Sequence, residues 1–284
     1  MRFRFKKLIV MMLCVSLVLT VCLGSTIAAG NNVPVANADG QIVKVLKNDT
    51  KTLTVVMDYL GDDDEYKGTV LYATMDKTSK AISMKTVQKP KKKLLGLLGS
   101  SKEKITNYSV KIVNEKEREF LVKDLETKKE YRLKNSDGKV KAQIPFVIWG
   151  LGAAGLALLK ALLTVLAIGV AVTAVYMVGS YAYSKAGEIA DALKRQKASK
   201  YYRACISNGQ VMIGEPLDYS TCYNWVSARG DCFAPVEYDA KMMAQAVGGV
   251  ARGPEIHGTK TFPYYMWHYQ PKYANFYDSH CFFR

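Results

Sequence analysis

A long apolar segment in the middle of the chain limits the folds that this sequence can adopt. The segment covers residues 144–183 of a 284-residue chain, and Lys160 is its only charged residue. Residues 161–183 are uncharged and long enough to cross a bilayer as a helix. The basic residues that follow are typical of a cytoplasmic flank, so one prediction is a membrane-inserting helical segment. The alternative is a buried, glycine-rich helical hairpin that stays soluble until it meets a target membrane.

The residues before this segment have the alternating pattern of a β domain. From Gln41 to about Ala142, runs such as "KTLTVVMDYL" and "GTVLYATMD" alternate apolar and polar residues with a period of about two. Turn-like stretches such as "NSDGK" separate the runs. The pattern predicts a small, largely antiparallel β domain with one face in water.

The residues after this segment predict a mixture of helices and strands. "SKAGEIADALKRQKASKYYRA" predicts a basic helix, and "CISNGQVMIGEP" predicts a hairpin around Asn208-Gly209. "DYSTCYNWVSARG" and "EYDAKMMAQAVGG" predict two further helices, whereas "DCFAPV", "YYMWHYQP" and "SHCFFR" predict strands. The predicted fold class is therefore α+β, with a small N-terminal β domain, a hydrophobic, membrane-inserting helical segment and a small C-terminal α+β module.

The N-terminus has the three parts of a secretory signal peptide. "MRFRFKK" is basic, "LIVMMLCVSLVLTVCLG" is apolar, and Ala36 and Ala38 form an A-x-A cleavage site. Cleavage after Ala38 predicts a secreted, cell-surface or membrane-associated protein, and an uncleaved anchor is the alternative. The predicted domains are a signal peptide over 1–38, a β-rich domain over 39–142, the hydrophobic segment over 143–184, a basic helical connector over 185–200 and the C-terminal module over 201–284.

The net charge indicates which classes of partner the chain favours, and the cysteine content indicates which thiol chemistry is open to it. The net charge of +15 favours polyanionic partners such as nucleic acid, anionic lipid or cell-wall polymer. An even number of cysteines remains after the leader, which in an exported chain is compatible with two disulfides of open pairing. Buried free thiols are the alternative. The four cysteines are Cys205, Cys222, Cys232 and Cys281.

The three histidines of the chain, His257, His268 and His280, all lie within residues 257–284. If "YYMWHYQP" and "SHCFFR" are paired strands, alternation brings His268 and His280 onto the same face. Metal-independent RNA cleavage needs one imidazole to take the 2′-hydroxyl proton and another to protonate the leaving oxygen. His268 and His280 are therefore the predicted acid–base pair, with His257 in support.

Cations and aromatic rings near the histidines are the predicted substrate ligands. Lys260, Arg252 and Arg284 are candidates for binding phosphate, and Trp267 and Tyr269 for stacking bases. The histidines are also potential ligands of a transition metal. No HExxH motif or carboxylate pair accompanies them, so neither a metal nor another cofactor is predicted. Two alternatives stay open, namely Cys281 as a nucleophile beside a histidine and histidines with ordinary surface or capping roles.

Four segments form a recognisable pattern: "FLVKDLETKKEYRL", "YYRACISNGQVMIGEPL", "AQAVGG…GPEIHG" and "YYMWHYQP…SHCFFR". Together with the leader and the apolar segment, they resemble a family of signal-peptide-bearing toxins of Gram-positive bacteria that is related to the polymorphic toxins. That family has an aromatic H-Y-H-P segment and an ending of the form G/S-H-S-F-[FY]. Gln270 stands where the family usually has its second histidine, and Cys281 replaces a serine. The matching positions are His268, Tyr269, Pro271, Ser279, His280, Phe282 and Phe283, and upstream 253–257.

The resemblance implies a cytotoxic effector with an immunity protein as its partner. The leading hypothesis is a secreted or membrane-tethered bacterial toxin whose C-terminal module acts on a target cell as a metal-independent ribonuclease. One alternative is a bacteriocin-like, pore-forming protein that acts on the target-cell membrane through residues 144–183. Another is an anchored envelope protein without toxicity.

Overall fold

The structure is a computed structural model that describes residues 40–60, 66–90, 102–115, 117–136, 139–140, 149–259, 262, 265–273, 276–277 and 279–284. The predicted signal peptide over 1–38 lies outside the described residues. Lys260 and residues 141–148, which include the first part of the apolar segment, also lie outside them.

The alternating N-terminal runs form seven strands that pair as antiparallel neighbours. In the third strand, Thr69, Leu71, Ala73 and Met75 are buried while the residues between them are partly exposed. This alternation turns one side of the strands toward the core. The strands are β1 (Ile42–Asn48), β2 (Thr52–Asp58), β3 (Thr69–Asp76), β4 (Ile82–Gln88), β5 (Lys104–Asn114), β6 (Glu119–Asp124) and β7 (Glu130–Leu133).

The apolar segment forms one helix followed by a β-hairpin. Helix α1 spans Trp149–Ile168, strand β10 spans Ala174–Val178 and strand β11 spans Tyr181–Lys185. Gly169 ends the helix with a φ of 70°, a left-handed conformation that glycine adopts without strain. Ahead of α1, strands β8 (Asn135–Ser136) and β9 (Lys139–Val140) form a separate two-stranded sheet. The prediction of a wholly helical segment is therefore wrong.

Local sequence patterns in the C-terminal part correctly predict most of its helices and strands. Asn208 and Gly209 turn the chain between two strands with φ values of 49° and 69°. The Asp218 carboxylate accepts a hydrogen bond from the Thr221 backbone N–H at 2.8 Å and caps a helix. The elements are α2 (Ala186–Gln196), β12 (Tyr201–Ser207), β13 (Gln210–Leu217), α3 (Tyr219–Ser227), β14 (Asp231–Ala234), α4 (Glu237–Gly248), β15 (Ala251–Glu255), β16 (Trp267–Tyr273), β17 (Phe276–Tyr277) and β18 (Cys281–Phe283).

Among the described residues, one mixed sheet of sixteen strands contains both the N-terminal and the C-terminal strands. Its order is β15-β16-β18-β14-β12-β13-β11-β10-β1-β2-β3-β4-β5-β6-β7, and β17 pairs with β16. Strand β1 joins β10 with Val43 opposite Val175, and β11 joins β13 with Ser184 opposite Ile213. Strands β14 and β18 run parallel. The predicted α+β class with three distinct parts is wrong, because the chain is mainly β and one sheet runs through it.

Helix α1 lies in the core instead of forming a membrane-inserting element. Leu158, Leu159 and Leu162 are completely buried, and the helix contacts strands β2, β3, β10, β11 and β13. No helix in the part of the chain that the structure describes is long and apolar enough to span a membrane. The prediction of a membrane-inserting segment is wrong because an apolar helix surface is equally well covered by surrounding strands.

Helices cover both faces of the C-terminal strands. Helix α2 contributes Ile189 and Leu193 to the same core cluster as α1, whereas α3 and α4 contribute to a second cluster. Along β14, Phe233 belongs to the first cluster and Cys232 to the second, as alternation requires. Phe282 of β18 also belongs to the first cluster, and its face of the sheet carries the histidines.

Candidate three-histidine site

Strand register brings the three histidines to one face of the sheet. Strand β16 pairs with β18 so that His268 lies opposite Phe282, and His280 precedes Phe282 by two residues. Strand β15 pairs with β16 so that Glu255 lies opposite His268, and His257 follows Glu255 by two residues. Because residues two apart in extended chain share a face, all three imidazoles converge.

The three imidazole rings form one compact cluster. The ring centroids of His257 and His268 are 4.5 Å apart, those of His268 and His280 are 4.8 Å apart, and those of His257 and His280 are 5.5 Å apart. One ring nitrogen from each residue lies within 4.8 Å of the other two. His268 is only 2% exposed, His280 is partly buried and His257 is exposed. The site is therefore open to solvent on the His257 side.

Gly253 allows the strand before His257 to approach His268 closely. Its φ is 122°, and a Cβ at this position would lie 2.7 Å from the backbone oxygen of His268. Any larger residue would push β15 away from β16. The "GPEIH" stretch thus starts with the one residue type that lets His257 reach the cluster.

His268 presents an unpaired nitrogen to its surroundings. Its Nδ1 lies 3.1 Å from the carbonyl oxygen of Met266, and a carbonyl can only accept, so Nδ1 carries the proton and donates it. Its Nε2 is buried and has no hydrogen-bond partner among the described residues. Burial lowers the pKa of His268 to about 4, and the neighbouring imidazoles His280 and His257 act in the same direction. The ring is therefore neutral at pH 7, with a lone pair on Nε2.

Asp231 fixes the position of His280. One carboxylate oxygen accepts both the backbone N–H of His280 at 2.8 Å and its ring Nδ1–H at 2.9 Å. Asp231 is itself held through its backbone, because the indole N–H of Trp225 donates to its carbonyl oxygen at 2.8 Å. With Nδ1 occupied, Nε2 is the ring nitrogen of His280 that remains for chemistry.

Glu255 is a second group with an unsatisfied buried atom beside the histidines. Its Oε2 pairs with Arg252 at 3.2 Å, whereas its Oε1 is buried without a hydrogen-bond partner among the described residues. Cross-strand pairing puts Glu255 on the His268 face. Two polar atoms without partners, Glu255 Oε1 and His268 Nε2, therefore occur on the same face of adjacent strands.

The predicted phosphate-binding cations differ in whether they lie beside the three histidines. Arg252 is on β15 next to the site and is paired with Glu255. Arg284 is held elsewhere, by a 2.8 Å ion pair with Asp191 and by packing of its guanidinium 3.8 Å from the Phe262 ring centroid. Lys260 lies outside the described residues. Arg252 is thus the one predicted cation that the structure describes beside the histidines.

The two predicted base-stacking residues are not part of the histidine cluster. Tyr269 is buried, stacks on Phe283 and donates its hydroxyl to Glu237 at 2.9 Å. Trp267 is 50% exposed. Both residues are neighbours of His268 in the sequence, so alternation turns them to the opposite face of β16.

Sequence patterns did not identify Asp231 and Glu255 as site residues. Asp231 is separated from His280 by 49 positions, and the parallel pairing of β14 with β18 brings the two segments together. No local motif indicates such a contact. Glu255 carried a weak signal, because it belongs to the "GPEIH" stretch that leads to His257.

The four cysteines after the predicted leader are free thiols. Cys222, Cys232 and Cys281 are completely buried in the second core cluster, and Cys205 is partly exposed. Cys281 faces away from the imidazoles, because it is adjacent to both His280 and Phe282 in an extended strand. Its position in a core gives no support to nucleophilic catalysis beside a histidine.

A separate polar cavity of about 310 Å³ lies against helix α1. Buried Arg203 lines it, with its guanidinium between the rings of Tyr181 at 3.9 Å and Trp225 at 4.1 Å. The cavity holds both signs of charge and none of the histidines. Its charged lining residues are Glu117, Arg118, Lys160, Arg203 and Glu215.

Fold and site together define a mainly β protein with a three-histidine centre on one face of its sheet. Comparison of the chain with family models, with curated proteins and with solved structures found no match.

Proposed function

We propose that the chain is an exported cytotoxic effector whose three-histidine site cleaves phosphodiester bonds, with RNA as the substrate. The observation that carries the proposal is the convergence of His257, His268 and His280 from three segments into one cluster. Imidazoles held together in this way are suited to activating a nucleophile and to handling protons near neutral pH.

The polar groups around the cluster support a chemical role. The Asp231 carboxylate accepts from both the backbone N–H and the ring of His280, and so fixes the orientation and the tautomer of that imidazole. The unpaired Nε2 of buried His268 is energetically unfavourable unless a ligand or substrate uses it. The site combines an oriented ring, an unpaired ring nitrogen and solvent access through His257.

The choice of a nucleic acid follows from charge, and the cytotoxic role follows from the resemblance. The net charge of +15 falls to +11 without the four basic residues of the predicted leader, and the charge that the chain keeps favours a polyanionic substrate. The leader-like N-terminus and the toxin-like C-terminal segments support export and action on a target cell. An immunity protein in the producing cell is the partner that such an activity requires.

Two alternatives to the effector remain proposals. In the pore-forming alternative, residues 144–183 act on the target-cell membrane, and helix α1 of that segment is a core element of the structure. A non-toxic envelope protein remains the second candidate. It requires no activity at the histidines, so a functional test of these residues separates it from the proposed effector.

The test is cytosolic expression of residues 39–284 in a bacterium, with growth and total RNA integrity as readouts. We expect growth arrest with RNA breakdown from the wild type. The double variant His257→Ala/His280→Asn is expected to be harmless because it removes two imidazoles. Thr259→Ala is the matched control, since Thr259 is exposed in the same loop as His257 and contributes no imidazole.

Normal growth with intact RNA would contradict the proposal, provided that the expressed wild-type protein is soluble and folded. Arrest by the wild type and the double variant alike would also contradict it, because toxicity would then come from another part of the chain.

A further inference from the structure

We propose that His257, His268 and His280 bind one divalent transition metal, with zinc as the best fit, and that Asp231 orients His280 as a ligand. Catalysis by this metal rests on the proposed function, whereas metal binding itself is measured without a substrate. The leading prediction for this site was metal-independent chemistry, and transition-metal ligation by the histidines was the alternative that the inference develops.

Spacing favours a shared cation over an acid–base pair that flanks a phosphate. Two imidazoles on either side of a phosphate need ring nitrogens roughly 6 to 8 Å apart, the sum of two hydrogen bonds and the phosphate between them. In a tetrahedral zinc site with Zn–N bonds of about 2.0–2.1 Å, ligand nitrogens are roughly 3.4 Å apart. One ring nitrogen from each histidine lies within 4.8 Å of the other two, which is closer to ligand spacing than to the separation that flanks a phosphate.

The outer hydrogen bonds are those of metal ligands. A histidine that binds metal through one nitrogen almost always donates its other ring N–H to a carboxylate or a backbone carbonyl. His280 donates Nδ1–H to Asp231, and His268 donates Nδ1–H to the carbonyl of Met266. Both rings therefore direct Nε2 to the metal.

A bound cation would explain why a buried ring nitrogen of His268 has no hydrogen-bond partner among the described residues. His268 Nε2 has no hydrogen-bond partner, and a metal ion would use its lone pair. The carboxylates of Asp231 and Glu255 offset the charge that three neutral imidazoles leave on a divalent ion. Three protein ligands also leave a fourth position open, which is the arrangement of catalytic rather than structural zinc. A water molecule or a phosphoryl oxygen would occupy that position.

The test is titration of the purified full chain, in its reduced state, with Zn²⁺ and with Co²⁺. We expect one equivalent of metal per folded chain and a Co²⁺ absorption spectrum typical of tetrahedral nitrogen coordination. His257→Ala is the informative variant, because His257 is exposed and its loss leaves the core intact. We expect it to weaken binding by at least tenfold, and Thr259→Ala to bind like the wild type.

Asp231→Asn tests the orienting role of Asp231. Its amide oxygen can still accept one hydrogen bond, so His280 stays near its place while the charge is lost. We expect affinity to fall by about 10- to 100-fold, as for other outer-shell changes. Unchanged affinity would overturn the role of Asp231.

Three results would overturn the metal site itself. They are a folded wild type that binds no stoichiometric metal, binding that His257→Ala leaves unchanged, and a Co²⁺ spectrum with sulfur-to-metal charge transfer, which would place the metal at the cysteines. RNA cleavage that survives complete chelation would overturn metal-dependent catalysis and leave the proposed function intact. Stoichiometric metal at the histidines without cleavage of RNA would overturn the proposed function and leave the metal site intact.

Discussion

Gln270 is buried on β16 two residues after His268, so both side chains belong to the same face of the sheet. The resemblance proposed from the C-terminal segments would place a second histidine at this position. An imidazole there would stand one pleat away from the three-histidine site. Gln270 is thus a departure from the expected family pattern that lies on the same face of the sheet as the proposed site.

We expect Gln270→His to increase the rate of RNA cleavage, because it adds a further imidazole on the same face. Glutamine and histidine are similar in size, so the buried position should tolerate the change. The measurement is the initial rate of cleavage of a single-stranded RNA by purified wild type and variant. A folded variant with an unchanged or lower rate would show that position 270 does not contribute to the site.

At the scale of single elements, helix α1 combines an apolar surface with one buried charge. Lys160 is 7% exposed, and its ammonium group donates to the carbonyl oxygen of Ser180 at 3.0 Å. Burial and, to a smaller extent, the nearby Arg118 lower the pKa of Lys160 to about 8, while Glu215 opposes the shift. The charged groups that line the same cavity are Glu117, Arg118, Arg203 and Glu215.

Titration of Lys160 alone should make the folded chain more stable as the pH rises from about 8 toward 10.5, whereas the buried thiol of Cys205, whose pKa burial raises to about 12, acts in the opposite direction. Over that range, Lys160 loses its proton in the folded state but keeps it in the unfolded state, so the free energy of unfolding increases. The difference between the two pKa values corresponds to roughly 3 kcal/mol. Lys160→Met should remove this rise and stabilise the protein at pH 7, by about 2 kcal/mol after loss of the Ser180 hydrogen bond.

Urea unfolding at pH 7 and pH 9.5 measures both effects. The matched control is Lys241→Met, which changes an exposed lysine on helix α4. Equal pH dependence in wild type and Lys160→Met would contradict the assignment of the rise to Lys160.

At the scale of the whole molecule, local patterns predicted the strands and helices better than their assembly. Alternation in "GTVLYATMD" and the Asn208-Gly209 turn depend on neighbouring residues, and the structure contains the corresponding strands. The joining of β1 to β10 connects Val43 with Val175, and no local pattern encodes such a distant pairing. An apolar helix has the same composition whether lipid or strands surround it, which is why α1 was misassigned.

The candidate site, too, could be predicted from sequence only where local geometry determines it. Alternation in two strands predicted that His268 and His280 would share a face, because that argument needs only local geometry. The contacts of Asp231 with His280 and of Glu255 with the β16 face depend on strand order. They were not predictable from residues near each histidine.

Because one sheet contains both halves of the chain, the fragment 185–284 should not fold alone. Without α1, which contacts β13, apolar residues of the first core cluster on that strand, such as Val211 and Ile213, would lose their cover. We expect the fragment to show no cooperative urea transition and rapid proteolysis, whereas residues 39–284 unfold cooperatively. A cooperative transition in the fragment would show that the C-terminal strands form an independent domain.

The position of β18 between β14 and β16 also sets when the histidine centre can exist. A ribosome or a secretion channel releases the chain from its N-terminal side, so β1–β7 and α1 emerge before any histidine does. His257 and His268 then emerge without their third member, and Asp231 has no imidazole to hold until His280 and β18 arrive. A chain in transit therefore carries no assembled centre, and the proposed chemistry could begin only when β18 has entered between β14 and β16.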